Sequence, residues 1–130
     1  MAIYLDSCIV IYRTEEVEPW AAKISRAIAD LGNVQVVVSD LVRLECRVVP
    51  LRNGDSELLR RFDEAFAAAE FASLTRSVFD RAAELRARHR IKTPDALHLA
   101  AALEHGCDEF WTNDDRLTPA HTGISFRAFT

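Results

Sequence analysis

The feature that most constrains the fold is an alternation of short apolar segments with longer amphipathic ones. Residues 34–38 are β-branched except for Gln35, and so short an apolar run is typical of a buried parallel strand. Between residues 17 and 31 the apolar positions recur at intervals of four and three, which predicts a helix that Gly32 ends. Strands that alternate with helices predict a parallel sheet with helices on both faces.

Further segments extend this pattern. Residues 3–5 predict the first strand, and residues 109–112 and 124–129 predict two strands near the end of the sequence. Between them, apolar positions with helical spacing recur over about 58–69 and 78–85. We therefore expect an α/β three-layer sandwich, in which helices flank a central, mostly parallel sheet of four to five strands.

Two more helices have predicted ends. Ser39 offers a capping side chain for a helix over about 41–49, and Pro50 is expected to end that helix. A later helix is predicted over 93–105, with Thr93 as its N-cap and a proline in the first helical position. A glycine directly after this segment supplies its C-terminal stop.

The composition places the chain in a broad class. With 130 residues, 49% hydrophobic and 28% charged, it has globular proportions, and we expect a single domain over residues 1–130. A net charge of −4 argues against a protein that holds nucleic acid by bulk positive charge. Three widely spaced cysteines make a poor disulfide framework, and we find no signal peptide or membrane-spanning run. These features favour a cytoplasmic protein with no membrane partner.

Four acidic residues fall where ligands bind in open α/β sheets, outside the carboxyl ends of the strands. Asp6 follows the first predicted strand, Asp114 follows the next-to-last one, and Asp95 lies in the first turn of its helix. Glu45 lies on the edge of the apolar stripe of its helix. Each acid also has a purely structural interpretation, as a turn former, a helix-start residue or a solvated surface charge. The functional hypothesis therefore depends on their convergence.

Convergent carboxylates point to a particular chemistry. They repel one another unless a cation is bound. Oxygen ligands suit Mg²⁺ or Mn²⁺ better than zinc, which prefers histidine and cysteine. A hard divalent ion lowers the pKa of a bound water and neutralises charge that develops on a phosphoryl oxygen. This set of residues therefore favours metal-assisted hydrolysis of phosphodiester bonds.

The motifs around these acids resemble those of PIN domains in order and spacing. They are Asp6 in IYLDSCIVIY, Glu45 in SDLVRLECRV, Asp95 in IKTPDALHLAAAL and Asp114 in FWTNDDRL, and together they span nearly the whole chain. KTPDALHLAAA is the most particular of them, and the ordered set is more specific than any single motif. With its short length, the chain looks most like the VapC toxins of type II toxin–antitoxin pairs.

The resemblance implies a Mg²⁺- or Mn²⁺-dependent endoribonuclease that a cognate, VapB-like antitoxin keeps silent. It implies that Asp6 and Asp95 are the most constant metal ligands, and that Glu45 and Asp114 complete the catalytic cluster directly or through water. Family members usually form homodimers and cut tRNA or ribosomal RNA at one or a few places. DNA would be reached only indirectly, through the antitoxin.

Several assignments stay open on the sequence alone. Asp114 is preferred to Asp115 because it directly follows Thr112-Asn113, but a shift of one residue in the loop gives the role to Asp115. Ser7 and Thr112 could hydrogen-bond a ligand carboxylate or a bound water, or they could satisfy local backbone groups instead.

Other residues carry weaker signals. His98 lies one turn after Asp95, where a packed or hydrogen-bonded histidine is a more common interpretation than a general base. An arginine-rich segment over 81–92 is the preferred RNA-binding surface, although a solvated helix face shows the same pattern. Apolar helical residues around 58–66 offer surface to a second copy or to an antitoxin segment, as well as to the core.

Two alternatives compete with the ribonuclease hypothesis. A phosphatase of the haloacid-dehalogenase type expects a second acid at position 8, which is Cys8, and a receiver-type phosphoacceptor expects one at position 7, which is Ser7. The other alternative is a degenerate PIN domain that binds RNA or a protein partner without cleaving. Such a domain would lack one or more of the acids, and all four are present. The complete set favours an enzyme.

Overall fold

The computed structural model describes residues 1–114, 117 and 123–129. Within these residues, strands and helices follow one another as predicted for an α/β chain. In order they are β1 Ala2–Leu5, α1 Ser7–Thr14, α2 Trp20–Leu31, β2 Gln35–Ser39, α3 Asp40–Asn53, α4 Ser56–Ala67, β3 Glu70–Ala72, α5 Arg76–His89, α6 Thr93–His105, β4 Glu109–Trp111 and β5 Ser125–Arg127.

The five strands of the described chain form one parallel sheet in the order β3-β2-β1-β4-β5. β1 is central, and its Tyr4 pairs with Val37 of β2 on one side and with Phe110 of β4 on the other. The chain builds the sheet outward from β1 to β3, and then returns to the other side of β1 to add β4 and β5. This reversal opens a crevice at the carboxyl ends of β1 and β4, where ligands bind in such sheets.

Helices flank this sheet, which confirms the predicted three-layer α/β class. Helix α1 contacts α2, α3 and α4, α3 packs along α4, α5 packs along α6, and α3 meets α6. The sheet supplies the middle of the core, where the Tyr4 ring stacks on that of Phe110 with centroids 5.3 Å apart. Tyr4, Phe110 and Trp111 are fully buried, as expected for strands covered on both faces.

The prediction that Pro50 ends its helix is wrong, because α3 continues to Asn53. The helix ends instead at Gly54, whose φ of +64° is the left-handed conformation that glycine adopts at little cost. Pro50 lies within the last turn and is buried. A proline there removes one helical hydrogen bond, and the packing of its ring offsets that loss.

The element order differs from the predicted one by two short additions. Helix α1 was not predicted because the run SCIVIY is apolar at almost every position and so has no helical period. Strand β3 was not predicted because it has three residues at the edge of the sheet, directly after the apolar stripe of α4. With α1 and β3 included, helices lie between each two consecutive strands from β1 to β4, as parallel pairing of those strands requires.

The other boundaries lie close to the predicted ones. The helix predicted from residue 17 begins at Trp20, after Pro19. Thr93 is the first residue of α6 rather than its N-cap, which is Lys92, while Asp95 lies in the first turn as predicted. None of the helices in the described residues is long and apolar enough to cross a membrane.

Candidate functional site

Asp6 lies at the centre of the carboxyl edge because it directly follows the central strand. Its backbone N–H donates to the carbonyl of Trp111 at 3.0 Å, which ties it to the end of β4. Its Oδ1 accepts the backbone N–H of Ser7 at 2.7 Å, and its Oδ2 accepts the hydroxyl of Thr112 at 2.8 Å. Asp6 is thus the N-cap of α1, and 7% of its surface is exposed. Its carboxylate is buried and held at both oxygens.

Glu45 reaches the same place from α3. Its Oε1 lies 2.6 Å from Nε2 of His98, and that nitrogen lies 3.7 Å from Oδ1 of Asp6. Asp6, Glu45 and His98 therefore form a group in which one ligand atom of each lies within 4.8 Å of the others. The Glu45 side chain is half-buried and directed inward, unlike the solvated surface charge that was its structural alternative.

Asp95 and Asp114 line the cavity that contains this group. The cavity has a volume of about 280 Å³. Asp95 enters it from the first turn of α6, and Asp114 from the segment after β4. The acids of four different elements thus face one cavity, which is lined by Asp6, Ser7, Cys8, Tyr12, Glu45, Asp95, Asn113 and Asp114.

Thr112 links two of the acids. Its hydroxyl donates to Asp6 Oδ2 and accepts the backbone N–H of Asp114 at 3.0 Å. The side chain is buried, and the sulfur of Cys8 lies 3.9 Å from its Oγ1. Of the two interpretations left open for Thr112, its hydroxyl makes the contacts of both, one with the Asp6 carboxylate and one with the local backbone.

Ser7 and Asp115 stand differently. The bond that Ser7 gives to Asp6 comes from its backbone N–H, and Ser7 also lines the cavity. Asp115 lies outside the described residues. The preference for Asp114 over Asp115 therefore stays a prediction, supported by the position of Asp114 on the cavity wall.

His98 connects the acids to the interior of the sheet. It is 1% exposed, and its Nδ1 lies 2.8 Å from the hydroxyl of Tyr4, which lies 2.8 Å from the hydroxyl of Ser39. The interpretation of His98 as a buried, hydrogen-bonded histidine is confirmed. Its bond to Glu45 was not predicted. The three-residue spacing of Asp95 and His98 indicated only that His98 lies on the same face of α6 as Asp95.

Burial shapes the proton affinities around the site. It raises the pKa of the Tyr4 hydroxyl far above its ordinary value, so this phenol keeps its proton and remains a donor. Burial likewise raises the pKa of the Cys46 thiol to about 12. This thiol donates to the carbonyl of Ser7 at 3.9 Å. Neither group is therefore an anion that competes with the carboxylates.

Two of the larger cavities in the described residues differ from the acidic cavity in chemistry. One, of about 380 Å³, is lined mainly by apolar side chains of the sheet, α1 and α4, together with Arg13 and Arg61. The other, of about 650 Å³, is aromatic and adjoins the acidic cavity through Tyr12, Asn113 and Asp114. The smaller acidic cavity is the candidate site because charged groups of several elements converge there.

A comparison with known families identifies the class. The model of the PIN domain matches residues 3–120, and the chain belongs to this family. The resemblance expected from the four acidic motifs is thereby confirmed. A search of curated proteins gives no match.

Solved structures share the fold. VapBC2 from Rickettsia felis, bound to a DNA fragment from its promoter, matches with a TM-score of 0.78 at 15% identity, over 98% of each chain. A toxin–antitoxin complex from Klebsiella pneumoniae matches with 0.76 at 19% identity, over 100% of this chain and 97% of that one. VapC20 of Mycobacterium tuberculosis, a toxin that cleaves the sarcin–ricin loop, matches with 0.71 at 16% identity, over 88% and 92%.

Proposed function

We propose that this PIN domain, spanning residues 1–130, is a metal-dependent endoribonuclease that hydrolyses phosphodiester bonds of RNA. The observation that carries the proposal is the convergence of Asp6, Glu45, Asp95 and Asp114 from four elements on one cavity. The cavity lies at the carboxyl edge of a parallel sheet, beside the reversal at β1. All four acids are assigned to catalysis.

The donor set fits a hard divalent cation. Carboxylate oxygens that share a half-buried cavity repel one another, and Mg²⁺ or Mn²⁺ relieves that repulsion. Asp6 and Asp95 would hold the ion, with Glu45 and Asp114 completing the set directly or through water. A bound ion would supply an activated water and would neutralise charge on the phosphoryl oxygen.

The chain's own groups orient these ligands. The backbone of Ser7 and the hydroxyl of Thr112 fix both oxygens of Asp6, so that the carboxylate cannot rotate away from the cavity. The same hydroxyl holds the backbone of Asp114. Such outer contacts restrict ligand carboxylates before an ion binds, which raises affinity by pre-organisation.

The basic end of α5 is the proposed path for the RNA backbone. Arg88, Arg90 and Lys92 are exposed and lead directly into α6, whose first turn carries Asp95. An overall acidic protein needs such a local positive surface to approach phosphates. Arg86 is partly committed to structure, because its Nε donates to the carbonyl of Ile91 at 3.0 Å.

The biological role we propose is that of a toxin in a toxin–antitoxin pair. The structural neighbours include complexes of this kind and a toxin that cleaves ribosomal RNA at the sarcin–ricin loop. A cytoplasmic homodimer that cuts tRNA or ribosomal RNA and is silenced by a VapB-like antitoxin fits these neighbours. DNA would then be contacted by the antitoxin.

The test is cleavage of total cellular RNA by the purified chain, with Mg²⁺ or Mn²⁺ against chelator, followed by sequencing of the new ends. Asp95→Asn is the site variant, and Asp80→Asn, which changes an exposed acid of α5, is the matched control. We expect discrete, metal-dependent ends that vanish in Asp95→Asn only. A folded, antitoxin-free chain that yields no new ends would instead favour a PIN domain that binds RNA or a protein without cleaving.

A further inference from the structure

We propose that His98 is a positioning residue that holds the Glu45 carboxylate toward the metal through its Nε2–H, and that it is not itself a metal ligand. The inference rests on the proposed function. It concerns a nitrogen donor that lies within 4.8 Å of two carboxylate ligands and could, by distance alone, join them on the ion. The hydrogen bonds around His98 decide between these two roles.

His98 is the middle of a buried chain of hydrogen bonds. The chain runs from Ser39 to Tyr4, from Tyr4 to His98 Nδ1, and from His98 Nε2 to Glu45, with distances of 2.8, 2.8 and 2.6 Å. Ser39, Tyr4 and His98 are at most 1% exposed. The chain therefore connects the start of α3 and the central strand to α6, and ends on a carboxylate that lines the cavity.

The donor in the bond between His98 and Glu45 follows from the chemistry of a carboxylate that ligates a metal ion. A Glu45 carboxylate that holds a cation can only accept, so the proton of the 2.6 Å bond is then on His98 Nε2. At the far end of the chain of bonds, Ser39 Oγ accepts the backbone N–H of Val42 at 3.5 Å and is hydrogen-bonded to the Tyr4 hydroxyl. Nδ1 of His98 is hydrogen-bonded to the Tyr4 hydroxyl, so this nitrogen is engaged whichever of the two atoms donates.

Both ring nitrogens are thereby engaged. A ligating nitrogen needs a lone pair directed at the ion, and Nε2 carries the proton of the bond to Glu45 while Nδ1 is hydrogen-bonded to Tyr4. Nε2 is also farther from Asp6 Oδ1, at 3.7 Å, than from Glu45. The arrangement matches a partner that orients a ligand carboxylate from behind, and the metal ligands are then oxygens.

The experiment measures Mn²⁺ binding by the electron paramagnetic resonance signal of the free ion, for the wild type, His98→Gln and His98→Asn. The amide nitrogen of glutamine lies near the position of Nε2 and can still donate to Glu45, whereas that of asparagine lies near Nδ1 and cannot. We expect affinity close to wild type for His98→Gln and a loss of about 10–100-fold for His98→Asn, as for other outer partners of metal ligands. Equal losses in both variants would overturn the proposal.

Two measurements on the wild type keep the test independent of how the variants fold. Electron spin echo modulation of the Mn²⁺-bound chain should show no directly bonded ¹⁴N, and such a coupling would make His98 a ligand. In the metal-free chain, ¹H–¹⁵N correlation of the imidazole should show the proton on Nε2, and a proton on Nδ1 alone would overturn the proposed bond.

Failure of the proposed function looks different. A wild-type chain that binds no Mn²⁺ would overturn both the metal site and the role of Glu45 within it. A chain that binds Mn²⁺ with a ¹⁴N ligand would leave the metal site standing and overturn the role given to His98 alone. Asp95→Asn supplies the reference, because it should weaken Mn²⁺ binding and leave the proton on His98 Nε2.

Discussion

Two groups of carboxylates in this chain differ in the partners that hold them. On α4, Glu57 and Glu64 are exposed, and both pair with Arg60. At the carboxyl edge of the sheet, Asp6 is held by a backbone N–H and a hydroxyl, and Glu45 by an imidazole. The partners named for Asp6 and Glu45 include no lysine or arginine.

The difference shows how a structural charge cluster can be told from a functional one. An arginine neutralises its carboxylate and leaves no demand for a further cation, and an exposed pair of this kind adds little to stability. Hydrogen bonds from a backbone N–H and a hydroxyl orient Asp6 without neutralising it. Asp6 is therefore oriented by neutral donors, which leave its charge for a bound cation to balance.

The largest expected effect comes from removing one charge from each group. Asp6→Asn keeps an acceptor for the N–H of Ser7 but loses a carboxylate proposed to hold the metal, and we expect RNA cleavage to fall by about 10²–10³-fold. Glu57→Gln on α4 should leave the rate unchanged. The rates are measured on one RNA substrate under saturating Mg²⁺, and an Asp6→Asn variant with near wild-type activity would remove the distinction between the two groups.

Cation binding gives the next largest effect. At an ion concentration one hundred times the Kd, Mn²⁺ should raise the free energy of unfolding by about 2.7 kcal/mol. The increase should persist in Glu57→Gln and disappear in Asp6→Asn, since only the second variant changes the cavity. Thermal unfolding with and without Mn²⁺ measures it, with chelator as the metal-free reference. An equal increase in both variants would locate the ion elsewhere.

Much of this edge could be predicted from sequence because its acids sit at positions set by local rules. Asp6 and Asp114 follow strands, and Asp95 lies in the first turn of a helix, so a parallel sheet brings all three to one rim. The apolar, β-branched segment before Ser39 likewise predicted β2. These features depend on residues within a few positions of one another.

The rest depends on contacts between distant residues or on competing local signals. His98 and Glu45 are 53 positions apart, and Tyr4 and His98 are 94 apart, so no periodicity links them. Pro50 carries a strong stop signal that tertiary packing overrides. The helix α1 after Asp6 was not predicted, because an almost entirely apolar run fits a buried strand as well as a buried helix.

A smaller effect is expected from the chain of bonds behind Glu45. Tyr4→Phe leaves Nδ1 of His98 and the hydroxyl of Ser39 without their partner in the interior, at a cost of about 1–3 kcal/mol in the free energy of unfolding. Tyr12→Phe is the matched control, because it removes one hydroxyl from a half-buried ring that stacks on Trp20. Urea unfolding compares them.

We expect the cost of Tyr4→Phe to exceed that of Tyr12→Phe clearly, and Arg60→Gln on α4 to leave stability unchanged, because its ion pairs are exposed. Equal costs for the two tyrosine variants would mean that the buried hydrogen bonds of Tyr4 contribute no more to stability than the hydroxyl of the half-buried Tyr12. The distinction between a buried, oriented edge and an exposed, paired helix would then lose its energetic basis.

The smallest effect is a pH dependence that distinguishes a buried group, the Cys107 thiol before β4, from an exposed one, Glu57 of α4. Burial raises the pKa of the Cys107 thiol from its ordinary value near 9 to about 12, whereas Arg60 lowers the pKa of the exposed Glu57. The folded state therefore holds the Cys107 proton more tightly than the unfolded state does. The stability it contributes is complete below pH 9 and declines as pH rises toward 12. For Glu57 the sign is opposite, and its contribution declines as pH falls below its ordinary range.

Urea unfolding between pH 8 and pH 10 measures the alkaline decline, and Cys107→Ala should make it shallower whatever its effect on stability at pH 8. Glu57→Gln should leave that slope unchanged, because Glu57 is ionised in both states throughout this range. An unchanged slope in Cys107→Ala would mean that the thiol titrates alike in the folded and unfolded chains. Burial would then not control ionisation at this position.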